Sequence, residues 1–253
     1  MSRRSVSEVR RLISLPAGAT SPAGPHPQDR TAHQIYDYLH LAAALGANPE
    51  PLPPRLEIPA AEIQQAEQDL LADLRRKAAD RASGEPSLLL GLNPGAEYGP
   101  AKRWPAERFA AVAREISHQH GNCLWLAFGG PGDAQPCGDI ARLAGGGVVN
   151  LAGKTSLRQL MALLKLCRVL LTNDSGPMHV AAALGTPVVV PFGSTAPGLT
   201  GPGLPGDPRH RLLQAAPPCA PCFRRVCPID FRCMTGISPD RVVDAVLRGI
   251  GQG

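Results

Sequence analysis

Aromatic residues are scarce, at 4% of 253 residues. A surface that stacks nucleic-acid bases on rings is therefore poorly supplied. No apolar run approaches the ~18 residues that a membrane-spanning helix needs. The opening residues, MSRRSVSEVRRLISLPAGA, carry charges, but their apolar stretch is too short for a secretory signal. No Gly-x-Gly-x-x-Gly follows a strand pattern, so no dinucleotide fingerprint is assigned. The first 86 residues also lack alternating strands, an early apolar strand and a Gly-Asp turn. The chain reads as cytoplasmic, and its seven Cys as reduced thiols or metal ligands.

What is present is ordinary in bulk and regular in pattern. An apolar fraction of 43% supports a sizeable core. Gly and Pro, 27 of each, fit many short loops. The net charge of +5 is concentrated. Residues 1–30 hold five Arg against Glu8 and Asp29, a net +3, and residues 205–235 hold five Arg against Asp207 and Asp230, again +3. That bias suits anionic partners such as nucleotides or phosphorylated lipids without identifying one.

Three segments are expected. Residues 1–30, rich in Arg, Ser, Pro and Gly, read as disordered or as a remnant. Residues 31–86 read as helices and a linker: a helix at 33–45 stopped by Gly46, a Pro-punctuated stretch at 48–59, and a polar helix at 60–81 with Leu70, Leu71 and Leu74 as its stripe. From residue 87 strands and helices alternate. Strands are expected at 87–92, 123–128, 148–150, 169–171, 188–190 and 211–214. Helices follow Pro105, at 134–143, at 156–166, from Pro177 and at 239–247. This is the pattern of an α/β, Rossmann-like, doubly wound parallel sheet, whose ligands bind beyond the carboxyl ends of the strands.

The most informative stretch is 168–191, RVLLTNDSGPMHVAAALGTPVVVP. An apolar strand runs into the polar turn Thr172 to Gly176. Pro177 stands where a first helical residue should be, because its missing N–H has no partner there anyway. Free N–H groups at Gly176 to His179 and the positive end of the helix dipole would make an anion site suited to a diphosphate. An ordinary βα turn capped by Asp174 or Ser175 explains the same residues.

The run Asn173-Asp174-Ser175-Gly176-Pro177-Met178-His179 and the following VAAALGTPVVVPFGST resemble the signature of glycosyltransferase family 9. These are the bacterial heptosyltransferases of the lipopolysaccharide inner core. NPGAEYGPAKRWP at 93–105 is similar to the family's other donor-side motif, and CAPCFRRVCPIDFRCM at 219–234 to a cysteine-rich C-terminal segment of one subgroup. Residues 229–232 depart from the His-containing form of that segment. The resemblance runs from about His33 to the C-terminus. It implies the donor-binding half of a GT-B fold and inverting transfer of heptose from ADP-L-glycero-D-manno-heptose to heptosyl-Kdo-lipid A. It implies no required cofactor, and a lipopolysaccharide precursor at the inner face of the inner membrane as partner.

On that resemblance, Lys102 contacts the donor phosphates and stabilises departing ADP in place of a metal ion. Ser175, Gly176 and His179 add donors at the helix start, although a core or capping role for His179 is equally compatible. Asp174 lies near the donor sugar, Thr155 against adenine, and Gly129 in the nucleotide pocket with Asp133 as a ribose partner. Lys154 and Ser156 flank Thr155, and Ser156 also reads as a plain N-cap. The general base, an Asp of the N-terminal domain in the family, is missing from the first 86 residues. Glu8 and Asp29 are not nominated for it, and Glu97 and Asp174 are the remaining carboxylates near the donor motifs.

The spacing Cys219-x2-Cys222-x4-Cys227-x5-Cys233 is compact enough for a tetrahedral Zn²⁺ and approaches a zinc knuckle. A Pro-rich loop with buried thiols is the plainer reading. Two rival functions follow: a truncated nucleotide-sugar-binding module without transferase activity, and a zinc-knuckle nucleic-acid binder. The first is preferred to the second, and no metal is assigned.

Overall fold

The computed structural model describes residues 33–72 and 88–251. The expectations for residues 1–30, for Leu74 and for the rest of the 60–81 helix lie outside these. Helix α1 spans Gln34–Ala44 and α2 spans Ala60–Ala66, running on into a wider turn at Glu67–Leu71. Then come β1 Leu88–Asn93, α3 Ala106–His120, β2 Cys123–Ala127, α4 Ala134–Ala144, β3 Val148–Asn150, α5 Leu157–Leu166, β4 Leu170–Thr172, α6 Gly176–Ala183, β5 Val188–Phe192, α7 Pro197–Thr200, β6 Arg211–Gln214, α8 Arg232–Thr235 and α9 Pro239–Ile250. The short α7 and α8 carry too few residues for a periodic signal and were not expected from sequence.

The six strands are ordered β3-β2-β1-β4-β5-β6, and every pairing is parallel. The chain winds outward from β1 in one direction, then returns to place β4 on its other side. The crevice where these directions diverge, beyond the carboxyl ends of β1 and β4, is where such sheets take ligands.

Strand residues alternate between two apolar layers, as a pleat requires. Leu90, Leu92, Trp125 and Leu171 face α3, α4 and α9, where Phe109, Ile116, Ile140 and Val246 meet them. Leu89, Leu126, Phe128 and Val190 face α2, α5 and α6, meeting Leu71, Leu164 and Ala181. Each large side chain so buried is worth about 1.5–3 kcal/mol. Helix α2 is also fastened to α5 by a two-pronged Arg158–Glu62 ion pair at 2.6 and 2.8 Å. That pair is exposed and contributes little.

Candidate functional site

Strand β1 delivers Asn93 to the crevice and β4 delivers Thr172, opposite each other in register. Asn93 Nδ2 donates to Thr172 Oγ1 at 3.2 Å and to Ser175 Oγ at 3.1 Å. Asn173 ties the two following loops. Its Nδ2 donates to the Pro94 carbonyl at 2.6 Å, and its Oδ1 accepts from the Trp104 amide at 3.0 Å. Trp104 is anchored below by its own Nε1–H to the Ile237 carbonyl at 3.2 Å and by an edge-on contact with Phe109. The 94–104 loop is thus held at both ends against the 173–176 turn.

That loop presents Lys102. Its Nζ lies 2.6 Å from Asp174 Oδ2, with the two side chains 13% and 4% exposed. Thr195 Oγ1 donates to the same Oδ2 at 2.6 Å, while Oδ1 takes part in neither bond. A pair so far removed from water stands only because further hydrogen bonds satisfy it. Asp174 is therefore not the cap of α6. Ser175 does not cap it either, since its hydroxyl donates to the Asn173 carbonyl at 3.2 Å. The α6 N-terminus has no side-chain cap. The supply of free N–H groups from Gly176 to His179 is smaller than the sequence suggests. Met178 N–H is taken by the Ser175 carbonyl at 3.1 Å in a tight first turn, and Pro177 has none.

Around these groups opens a cleft of about 610 Å³, within the range of small-molecule sites. All seven expected binding residues, Lys102, Gly129, Thr155, Asp174, Ser175, Gly176 and His179, line it. Glu97, Asp133 and Ser156 line it too, and Gln34 closes it from the start of α1. His179 stands at the rim, accessible at its outer edge but with protein packed around part of the ring. Its pKa lies below the ordinary imidazole range, mainly through loss of solvent around the ring. His33 and Lys102 add to the depression and Asp174 opposes it.

Asp133 is partly committed. Its Oδ2 accepts from Gly130 N–H at 3.0 Å, and a side chain at Gly129 or Gly95 would collide with it at 2.5 and 2.6 Å. Lys154 turns back to the Asn150 carbonyl at 3.0 Å. Ser156 forms a reciprocal capping box with Gln159 at 3.2 and 2.9 Å.

Thr195, Asn93 and Asn173 lie inside the runs that carry the family resemblance but were assigned no role of their own. For Thr195 the added signal was its place just past the β5 strand, where loop residues of such sheets converge.

The four clustered Cys line a separate pocket of about 220 Å³, with Ser194 and Arg232. Cys219 and Cys222 are exposed, Cys227 intermediate and Cys233 buried. Among the described residues no three His, Cys, Asp or Glu are grouped to hold a metal ion, so the Zn²⁺ alternative gains no geometry.

Residues 16–231 match the model of a family described as glycosyltransferase family 9 (heptosyltransferase). The chain is similar to lipooligosaccharide heptosyltransferase 2 of Campylobacter jejuni serotype O:2, 34% identical over 160 residues, covering 62% of this chain and 49% of that protein. It is similar to the Haemophilus ducreyi protein of the same name, 38% identical over 170 residues, covering 64% and 48%. It thus spans about half the length of these curated relatives. Among solved structures it resembles Escherichia coli ADP-heptose lipopolysaccharide heptosyltransferase II, with a TM-score of 0.65 and 26% identity over 88% of this chain and 64% of that one.

Proposed function

The chain belongs to glycosyltransferase family 9, and from that premise we propose that it forms the donor-binding part of a lipopolysaccharide heptosyltransferase. The donor is ADP-L-glycero-D-manno-heptose and the acceptor heptosyl-Kdo-lipid A. The observation that carries this is the convergence of Lys102, Asp174 and the uncapped start of α6 on one cleft at the β1/β4 divergence.

In this reading the diphosphate lies between the Lys102 ammonium and the α6 N-terminus. An acceptor hydroxyl attacks the anomeric carbon as the bond from that carbon to the phosphate oxygen breaks. Negative charge grows on departing ADP, where Lys102 and the helix start meet it. Asp174 accepts hydrogen bonds from the sugar, Thr155 lies beside adenine, and Gly129 and Asp133 approach the ribose. The acceptor's proton goes to a carboxylate outside these motifs. No cofactor is required by this scheme. The acceptor is lipid-borne, so the reading sets the protein beside the inner face of the inner membrane. No helix among the described residues is long and apolar enough to cross one.

A second reading is a nucleotide-sugar-binding module without transferase activity of its own. Favouring it, the residues gathered in the cleft account for the departing diphosphate, and none of them is assigned as the general base. Calorimetry with ADP and UDP, followed by heptose incorporation into a heptose-deficient acceptor, separates the two. ADP binding with turnover by the chain alone supports the complete transferase. ADP binding with turnover only when an N-terminal half from a relative is added supports the module. Absence of ADP binding removes both.

A further inference from the structure

The Cys-rich segment lies more than a hundred residues beyond Lys102 and does not line the cleft, yet it grips the loop that carries Lys102. Tyr98 Oη donates to the Phe223 carbonyl at 2.5 Å. Ala101 N–H donates to the Arg225 carbonyl at 3.0 Å. Gly99, at φ 151, passes so close that a Cβ there would meet the Arg225 carbonyl at 2.5 Å. The Tyr98 ring has Lys102 Nζ 4.9 Å from its centroid and the Arg225 guanidinium carbon at 5.6 Å. On its other side the segment is bound to the β5 exit, through Phe223 N–H to the Ser194 carbonyl at 2.7 Å. The next residue, Thr195, holds Asp174. Phe223 sits at φ 54, a left-handed conformation that a bulky side chain keeps only where its surroundings enforce it.

We propose that the 219–225 part of the Cys-rich segment is a brace that positions Lys102 for the diphosphate, with Tyr98 as its bearing surface. This rests on the reading of the cleft as a nucleotide-sugar site and adds how its cation is placed. The Lys102 ammonium is fixed from two directions: by the Asp174 carboxylate from the β4 turn and by the Tyr98 ring face from its own loop. A ring face attracts a cation without bringing a charge of its own, so it holds Lys102 at the phosphate end without adding a second counter-ion to Asp174. The carboxylate alone would draw the ammonium inward. Arg225, beside the same ring, adds positive potential to that wall. Removal of the ring should leave the adenine end of the cleft intact and disturb only the phosphate end.

The test uses the full chain and two independent readouts. The first is acetylation of Lys102 by acetic anhydride, followed by mass spectrometry, with exposed Lys154 as the internal reference. The second is affinity for ADP and for adenosine, which lacks phosphates. Tyr98→Leu should raise relative labelling of Lys102 about 3- to 10-fold and weaken ADP about tenfold, leaving adenosine unchanged. Tyr98→Phe, which keeps the ring but loses the bond to Phe223, should fall between. In a Lys102→Met background, Tyr98→Leu should cost no further ADP affinity, as expected for residues acting through one another. Unchanged Lys102 labelling, or equal losses for ADP and adenosine, would overturn the brace. If labelling responds as stated but the wild-type chain binds no ADP, the brace stands and the nucleotide reading fails. Should Tyr98→Leu not fold, Tyr98→Phe and Arg225→Met each remove one contact and carry the same comparison.

Discussion

The two walls of the cleft are built differently. The wall at β1 and β4 is a buried polar lattice. Asn93, Asn173, Asp174 and Thr195 are each no more than 4% exposed and bonded to one another's loops. The facing wall has Thr155, Ser156, Leu157 and Gln34, of which Leu157 is 64% exposed and Ser156 is occupied with its own helix. In the proposed reading a rigid, pre-ordered wall suits the phosphates, whose charge rewards fixed geometry. An open wall suits a base or a sugar, bound through contact area and local adjustment. The comparison also explains why a sheet domain of ordinary composition holds so many polar side chains out of water in one place. Buried amides and hydroxyls are tolerable where each has a partner.

The sharpest way to break this comparison is Lys102→Ala. ADP affinity should fall by roughly 1.5–3 kcal/mol, the worth of a charge-assisted contact, as read by calorimetry. A smaller loss than that from Thr155→Ala would invert the assignment of the walls. Asn173→Ala should destabilise the fold by about 1–3 kcal/mol in urea unfolding, because the buried Trp104 amide and Pro94 carbonyl lose their partner together. Thr195→Val keeps the shape and deletes one bond to Asp174, so a loss of about 1 kcal/mol in stability is expected. A larger effect on ADP binding than on stability would show that Asp174 orientation matters more to the ligand than to the fold.

His179 sharpens the comparison through pH. Its depressed pKa leaves the ring neutral near neutrality. Protonation on acidification adds a cation at the cleft rim, favoured by Asp174 and opposed by Lys102 and His33. ADP binding should therefore tighten by about 2- to 5-fold as pH falls through the ring's titration, below the ordinary imidazole range, relative to His179→Gln, whose difference profile removes the titration of ADP itself. An identical profile in the two proteins would place His179 outside the phosphate's reach. The smallest effects belong to the open wall. Leu157→Ala should change stability by no more than about 0.5 kcal/mol, as exposed positions do.

The same contrast between tied and untied groups governs the thiols. Burial, with a smaller contribution from Asp133, pushes Cys137 up to about 12, and burial raises Cys167 further. Cys219 and Cys222 are exposed. Brief treatment with iodoacetamide at neutral pH should label the latter two and spare the former.

Much of the framework was legible in the chain. Each expected strand and helix from residue 88 onward lies within a few residues of its place, because apolar runs, Pro105, Ser156 and Pro177 mark boundaries by local chemistry. The gathering of Lys102, Gly129 and Asp174 in one cleft also followed, since loops leaving the carboxyl ends of a parallel sheet must converge, whereas Lys154, on such a loop too, turns back to the Asn150 carbonyl and does not line the cleft. Other features were not legible. Asp174 read as a cap or a sugar ligand, and nothing nearby in sequence announced that Lys102 and Thr195 would share its Oδ2. The Cys-rich segment lies more than a hundred residues along the chain from the 94–104 loop and proved to be in contact with it.

By itself, then, the sequence determined the alternation of strands and helices, the polar break after β4 and the helix start at Pro177, all consequences of residues within a few positions of one another, while it left open whether Asp174 or Ser175 caps that start. Only the tertiary structure decided which side chains neutralise each other. The order β3-β2-β1-β4-β5-β6 sets β1 against β4 and β5 beside them. That places Lys102, Asp174 and Thr195 within 2.6 Å contacts across dozens of intervening residues. Such distances depend on how sheet order folds the chain back, and an ion pair buried there exists only because all three loops arrive together.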